Sequence, residues 1–141
     1  MSVPAGLQGQ LGSLLKYAHL GISERVGRAL GPLGVSDREL ALLTVLSGAG
    51  AVGQQSAARL LGIDRTTIVN LVHQMTRKGL LARVPDAKDR RRNLLRLTPA
   101  GRRIQEQGEC AYRRAAHDFL AALDVGDADR FTLLLRQLLV G

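Results

Sequence analysis

Residues 55–72, Gln55-Ser56-Ala57-Ala58-Arg59-Leu60-Leu61-Gly62-Ile63-Asp64-Arg65-Thr66-Thr67-Ile68-Val69-Asn70-Leu71-Val72, decide how this chain is read. Two short helical patterns meet there at a tight turn, one over about Gln55 to Leu61 and one over Arg65 to Lys78. Gly62 stands where a chain leaving a helix needs positive φ. Asp64 stands where the next helix needs an N-cap, and Ile63 with Ile68 makes a hydrophobic staple around it. Ala58 falls where two crossing helices would meet closely, which suits a small side chain. Ile68, Leu71 and Val72 share one face and are expected in the core. Arg65, Thr66, Thr67, Asn70, His73 and Gln74 are then left to the outside. This is a helix-turn-helix pattern.

Downstream, Gly79 ends the second helix. Leu80 to Val84 and Leu94 to Thr98 read as two short strands bounded by turn residues. Between them lies Pro85-Asp86-Ala87-Lys88-Asp89-Arg90-Arg91-Arg92-Asn93, a long basic tip. A helix-turn-helix followed by such a hairpin is a winged helix. Upstream, Ser36 and Glu39 form a capping box, with Val35 and Leu40 as its staple. Leu40, Leu43 and Leu46 supply that helix's buried stripe, and Gly48-Ala49-Gly50 stops it. The winged helix-turn-helix core is thus expected over about 36–98.

The flanks are helical. Leu7, Leu11, Leu14, Leu15, Ala18, Ile22, Val26 and Ala29 recur at helical spacing, which predicts one helix over about 5–30 ending near Gly31-Pro32. Glycines at 9, 12, 21 and 27 weaken it by up to ~1 kcal/mol each relative to alanine, so it needs tertiary or intersubunit packing to persist. Thr98-Pro99 opens another long helix, with Thr98 as N-cap and Pro99 at the first helical position. Its inward stripe is Ile104, Gly108, Ala111, Ala115, Phe119 and Ala122. Val125-Gly126 reads as its break, and Asp127 to Val140 as a last helix with Phe131, Leu134, Leu135, Leu138 and Leu139 in phase. The fold class is mainly α with a small β wing, one domain over 1–141.

The charge is concentrated. The stretch from Asp64 to Arg103 holds eleven basic residues against three acidic ones, so its net +8 equals the excess of the whole chain. A local excess of that size attracts a polyanion. With 141 residues the chain can bury an ordinary core. It contains no apolar run of transmembrane length and no signal-peptide pattern near its start, and its one cysteine, Cys110, allows no internal disulfide. The expectation is a soluble cytoplasmic protein, nucleoid-associated when DNA-bound, with no membrane partner.

The major groove of duplex DNA admits one helix, and a helix that reads it presents short polar and basic side chains from its first turns. Arg65, Thr66, Thr67 and Asn70 meet that need. Thr66 and Thr67 can bond phosphates or base edges, Asn70 can pair with adenine, and Arg65 can take guanine or a phosphate. Each good base pairing is worth about 1–3 kcal/mol of discrimination. His73 and Gln74 lie one turn further on. An arginine fits the narrow, electronegative minor groove, and Arg90, Arg91 and Arg92, with Lys88 beside them, sit on the hairpin tip for that role. Asp86 and Asp89 are expected to cap the turn or pair with a loop arginine, ordering the tip.

These residues resemble the MarR family of winged-helix transcriptional regulators. The resemblance lies in residues 55–72, in Arg77-Lys78-Gly79-Leu80-Leu81, and in Asp86-Ala87-Lys88-Asp89-Arg90-Arg91-Arg92-Asn93 followed by Leu97-Thr98-Pro99-Ala100-Gly101. It covers about 40–101 residue by residue, and the order of helices extends it to the whole chain. It implies a homodimer with intertwined terminal helices, over about 5–30 and 99–140. Leu7, Leu11, Leu14, Leu134, Leu135 and Leu138 are candidates for that interface. It implies a pseudo-palindromic operator on double-stranded DNA, with half-sites about 34–36 Å apart. It also implies a repressor released by a small molecule.

Tyr17, His19, Tyr112 and His117 are the candidate effector-binding residues. The scarcity of aromatic residues in the terminal helices keeps a second reading open: a ligand-independent regulator, or a chromatin-associated protein of low sequence specificity. A protein-interaction module is a third reading, disfavoured by the placement of the charge. Cys110 lies off the inward stripe, one turn from Arg113 and Arg114, and reads as an inert residue rather than a redox sensor. The three histidines and one cysteine lack metal-site spacing, and no nucleophile–base pair or phosphate loop is present. No metal, no cofactor and no enzymatic activity are expected.

Overall fold

In the computed structural model, which describes residues 2–140, the chain falls into two compact units. One comprises residues 30–110, the other residues 2–29 and 111–140. The elements in chain order are a short 3-10 turn at Ala5–Leu7, α1 (Leu11–Leu30), a second 3-10 turn at Gly31–Leu33, α2 (Asp37–Ala49), β1 (Val52–Gly53), α3 (Gln54–Leu61), α4 (Arg65–Arg77), β2 (Leu81–Pro85), β3 (Asn93–Leu97), α5 (Pro99–Leu120) and α6 (Val125–Leu139).

The unit of residues 30–110 is built on local signals that agree with one another. Ser36 starts α2 with the full capping box: its Oγ accepts from Glu39 N at 3.1 Å, and Glu39 Oε1 accepts from Ser36 N at 3.1 Å. Gly62 closes α3 at φ +66°. There the Ile63 N–H donates to Ala58 O and the Gly62 N–H to Arg59 O, the paired bonds of a Schellman cap. The same arrangement recurs at the end of α4, where Gly79 has φ +74°, Leu80 N donates to Met75 O and Gly79 N donates to Thr76 O. Leucines 30, 42, 43 and 46, Ile68, Val72, Met75 and Leu95 are buried almost completely and form the core of this unit.

The three strands form an antiparallel sheet in the order β1-β3-β2. Register runs from Leu81 opposite Leu97 to Pro85 opposite Asn93, so the hairpin tip spans 86–92. The sequence predicted the two long strands within a residue at each end. It did not predict β1, a two-residue strand pairing Val52 with Leu95 and Gly53 with Leu94. Two residues carry no periodicity, and their pairing partner lies some forty positions away.

The flanking helices differ from expectation in three places. Leu7 lies outside α1, in a 3-10 turn closed by Leu7 N to Pro4 O and Gln10 N to Leu7 O. Gly6, Gly9 and Gly12 lower the helix propensity around it. The expected helix over 5–30 is therefore that turn plus α1. The expected 99–140 segment is two helices, and its break falls at 121–124 rather than at Val125-Gly126. Those two residues instead open α6, because Asp124 caps it through Asp127 N at 2.8 Å. On the inward stripe of α5, Gly108 and Ala115 are buried, whereas Ala122 lies beyond the helix and is exposed.

Gly27, inside α1, has no atom within 4 Å of where a Cβ would sit. Gly27→Ala is therefore expected to stabilise the protein by about 0.5–1 kcal/mol through helix propensity alone. A thermal melt should rise by roughly 2–4 °C.

Candidate nucleic-acid interface

The first turn of α4 is set by Asp64. Its Oδ1 accepts from Thr67 N at 2.7 Å, with Asp64 itself in extended backbone. The backbone hydrogen bond from Thr67, with a side-chain bond from the same residue, holds the Asp64 carboxyl below its ordinary value. A depressed folded value means the cap's contribution is complete above the ordinary carboxylate range and is lost as pH falls through the folded value. Asp64→Asn should remove that pH dependence and leave neutral-pH helix content unchanged. Circular dichroism melts of both proteins from pH 7 down to below 4 would test it; identical acid profiles would exclude Asp64 as the titrating cap.

The rest of α4 divides cleanly. Ile68, Leu71, Val72 and Met75 are buried. Arg65, Thr66, Asn70, His73 and Gln74 are exposed, and Thr67 is half-buried. All six residues expected on the outer face are thus brought to it. Sequence reasoning missed Val69, which is 42% exposed and lies between Thr66 and His73 on the same side. A valine on a helix reads as core by residue type. Sequence reasoning also missed Arg38. The N-terminal turn of α2 and the outer side of α4 together line a concavity of about 500 Å³ that includes Arg38, Thr67, Asn70 and Gln74. Only tertiary packing brings position 38 beside position 70.

The wing tip is ordered by its two acids. Asp86 N donates to Arg92 O at 2.9 Å across the base of the loop, and Asp86 Oδ1 accepts from Lys88 N at 2.9 Å. Asp89 Oδ1 accepts from Arg91 N at 3.1 Å, and Asp89 O accepts from Arg92 N at 3.0 Å. The Arg91 guanidinium lies 3.9 Å from Asp89 and is almost fully exposed, a geometry worth little in energy. Both acids therefore act as turn caps, as the sequence suggested, and Lys88, Arg90, Arg91 and Arg92 all project into solvent.

One cation of the basic stretch is engaged elsewhere. Lys78, the residue that follows α4, donates to Glu39 at 2.8 and 3.0 Å and to Gly34 O at 2.8 Å. Glu39 is buried and is also the capping-box residue of α2, so one carboxylate ties the start of α2 to the end of α4. Two elements the sequence treated separately are braced together, and Lys78 contributes to the net charge without adding to the reading face.

Of the four effector candidates, Tyr17 and Tyr112 are half-buried and His19 and His117 are exposed. His117 lines a concavity of about 300 Å³ with residues of α5 and α6. His19 Nε2 lies 3.5 Å from Ser23 Oγ. Of the interface candidates, Leu11, Leu14, Leu134 and Leu138 are exposed, and Leu7 and Leu135 are half-buried. Cys110 is exposed. Among the described residues no three His, Cys, Asp or Glu side chains form a metal-ligating group, and no helix is long and apolar enough to cross a membrane.

Comparison with known proteins places this geometry. The sequence profile of the MarR family matches residues 33–92. A transcriptional regulatory protein assigned to the hcr operon of Thauera aromatica is 32% identical over 133 residues, which is 94% of this chain and 79% of that one. The crystal structure of a transcriptional regulator from Pseudomonas aeruginosa superposes with a TM-score of 0.85 at 31% identity, covering 94% of this chain and 98% of that one. CouR from Rhodococcus jostii RHA1, solved with p-coumaroyl-CoA bound, superposes with a TM-score of 0.81 at 25% identity, covering 96% and 95% of the two chains. Related to such regulators over nearly its whole length, with the helix-turn-helix and wing in one compact unit, the chain belongs to the MarR family of transcriptional regulators.

Proposed function

We propose that the protein is a homodimeric, sequence-specific repressor that α4 and the wing attach to a pseudo-palindromic operator, and that a small-molecule effector releases it. Arg65, Thr66, Thr67, Asn70, His73 and Gln74 read the major groove, with Val69 and Arg38 at its edges. Lys88, Arg90, Arg91 and Arg92 enter the adjacent minor groove or grip its phosphates. The observation that carries this is the pairing, in one compact unit, of a solvated polar helix face with a basic hairpin whose tip is held by its own acids. Each acid accepts a backbone N–H bond within the tip, and only Arg91 also approaches one of them, so the side chains of Lys88, Arg90 and Arg92 form no ion pair among the described residues.

Dimerisation is supported by where apolar surface is left open. Of the fourteen large hydrophobic residues exposed among those described, twelve belong to the unit of residues 2–29 and 111–140; Leu60 and Val69 are the exceptions. Leu11 at 69%, Leu138 at 77% and Leu139 at 82% are exposures that a second copy would be expected to cover. An effector is supported by kinship with CouR, which carries p-coumaroyl-CoA. The ligand-independent reading keeps one observation in its favour, the scarcity of aromatic residues, with two Tyr, two Phe and no Trp in the sequence.

The test is selection of bound sites from a random duplex pool. A two-fold symmetric consensus with half-sites about one helical turn apart is the expected result. Enrichment of no sequence would overturn the specific-repressor reading and leave the low-specificity alternative.

A further inference from the structure

We infer that Val69 of α4 is a specificity-determining residue that selects thymine: its isopropyl group seats against the C5-methyl of a thymine in the major groove. The inference rests on the reading of α4 as the groove-reading helix and adds which base one flank of that helix requires.

Val69 does not follow the apolar pattern of its own helix. It is 42% exposed, whereas Ile68, Leu71, Val72 and Met75 are buried. Among the described residues of the unit 30–110, Leu60 of α3 is the one other large hydrophobic left exposed. Helical spacing surrounds Val69 with Arg65 and Thr66 on the turn before and His73 on the turn after, all exposed. An aliphatic side chain standing singly on a surface is common. This one stands among side chains that face a polyanion, and each of those neighbours can donate a hydrogen bond. Valine also brings little to the helix itself, because β-branching lowers helix propensity and a solvated position recovers little of it by packing.

The two flanks of α4 differ in chemistry. At about 100° per residue, Asn70 and Gln74 lie about 100° and 140° around the helix from Val69. With Arg38 and Thr67 they line the concavity beside α2, so Val69 stands on the flank away from it. Side-chain amides match the donor and acceptor of adenine. An isopropyl group matches neither. The apolar feature that base edges present in the major groove is the thymine C5-methyl, whereas cytosine offers an N4 donor and no methyl. Contact with Val69 therefore discriminates between the pyrimidines. Because β-branching leaves one strongly preferred χ1 rotamer in a helix, the methyl groups are held in place before DNA arrives.

The test uses the full chain and the duplex selected from the random pool. In copies of that duplex one thymine per half-site, taken in turn along the site, is replaced by deoxyuridine. Uracil lacks only the C5-methyl, so each replacement removes no hydrogen-bonding group. Fluorescence anisotropy measures the affinity of wild type, Val69→Ala and Val69→Thr for each duplex. At one thymine position uracil should weaken wild-type binding about tenfold, roughly threefold for each of the two methyls. Val69→Ala should bind the thymine duplex about as weakly as the wild type binds that uracil duplex, and should lose less than about twofold more on the replacement. Val69→Thr, which keeps the shape and one methyl, should retain part of the thymine preference. The thermal melt of Val69→Ala should match that of the parent. Consensus half-sites without thymine would overturn the inference. So would uracil costs of equal size in wild type and Val69→Ala at every position. Either result, with a symmetric consensus in hand, removes the role of Val69 and leaves α4 as the reading helix. Enrichment of no sequence would overturn both together.

Discussion

Arg90→Ala together with Arg92→Ala is expected to weaken binding to the selected duplex on the order of a hundredfold, with the thermal melt unchanged. Neither side chain makes an ion pair or hydrogen bond among the described residues, so folding loses nothing when they go. In the proposed symmetric dimer the double variant removes four cations from the contact with DNA. At roughly 0.5–1 kcal/mol apiece in solvated contacts, the sum is about 2–4 kcal/mol, and every 1.4 kcal/mol is tenfold. The decisive measurement is the salt dependence. The slope of log affinity against log salt should flatten by about 0.9 for each phosphate contact removed. If affinity falls with the slope unchanged, the arginines do not meet the backbone; if neither moves, the wing is not part of the interface. Arg91→Ala alone should do less, because Arg91 already leans on Asp89.

Gly101→Ala should destabilise the protein by about 3 kcal/mol or more, lowering the melt by roughly 10 °C. Gly101 lies in the first turn of α5, and a Cβ there would land on the carbonyl oxygen of Leu80, with the Leu80 carbonyl carbon only 3.0 Å away. The obstacle is backbone, so no side chain can swing aside. That carbonyl also accepts from Thr98 N at 3.1 Å. Thr98 Oγ1 in turn accepts from Gly101 N at 3.0 Å and donates to Gly79 O at 2.6 Å. Any shift that relieves the clash disturbs the cap of α5 and the end of α4 together. Helix propensity favours alanine by about 1 kcal/mol, too little to offset it. Gly27→Ala, where only the propensity term operates, is the control. A melt for Gly101→Ala at or above that of the parent would show that the junction yields.

The parts of this fold that could be read from the sequence are those fixed by neighbours in the chain. The Ser36 and Glu39 capping box, the Gly62 turn, the Asp64 cap and the Thr98-Pro99 start each rest on residues within a few positions, and each is found as expected. The outer face of α4 was legible because a helix with one apolar stripe leaves only one solvated side. What failed depends on distance or on weak local preference. β1 exists only by pairing with β3. Arg38 joins the edge of α4 only through packing, and Lys78 meets Glu39 across 39 positions. Around Val125 the chain could break at either of two turn-forming sites, and the carboxylate of Asp124 decided between them.

The twin left-handed glycines at 62 and 79 make the span between them a ruler of fixed length. Each residue added to an α-helix turns everything beyond it by about 100°. One extra residue inside α4 would turn apolar side chains onto its solvated face and bury polar ones. Deletions would do the same in the opposite sense. New operator preferences in this lineage should therefore arise by exchanging side chains at constant length, and relatives with altered targets should keep the same spacing between those two glycines.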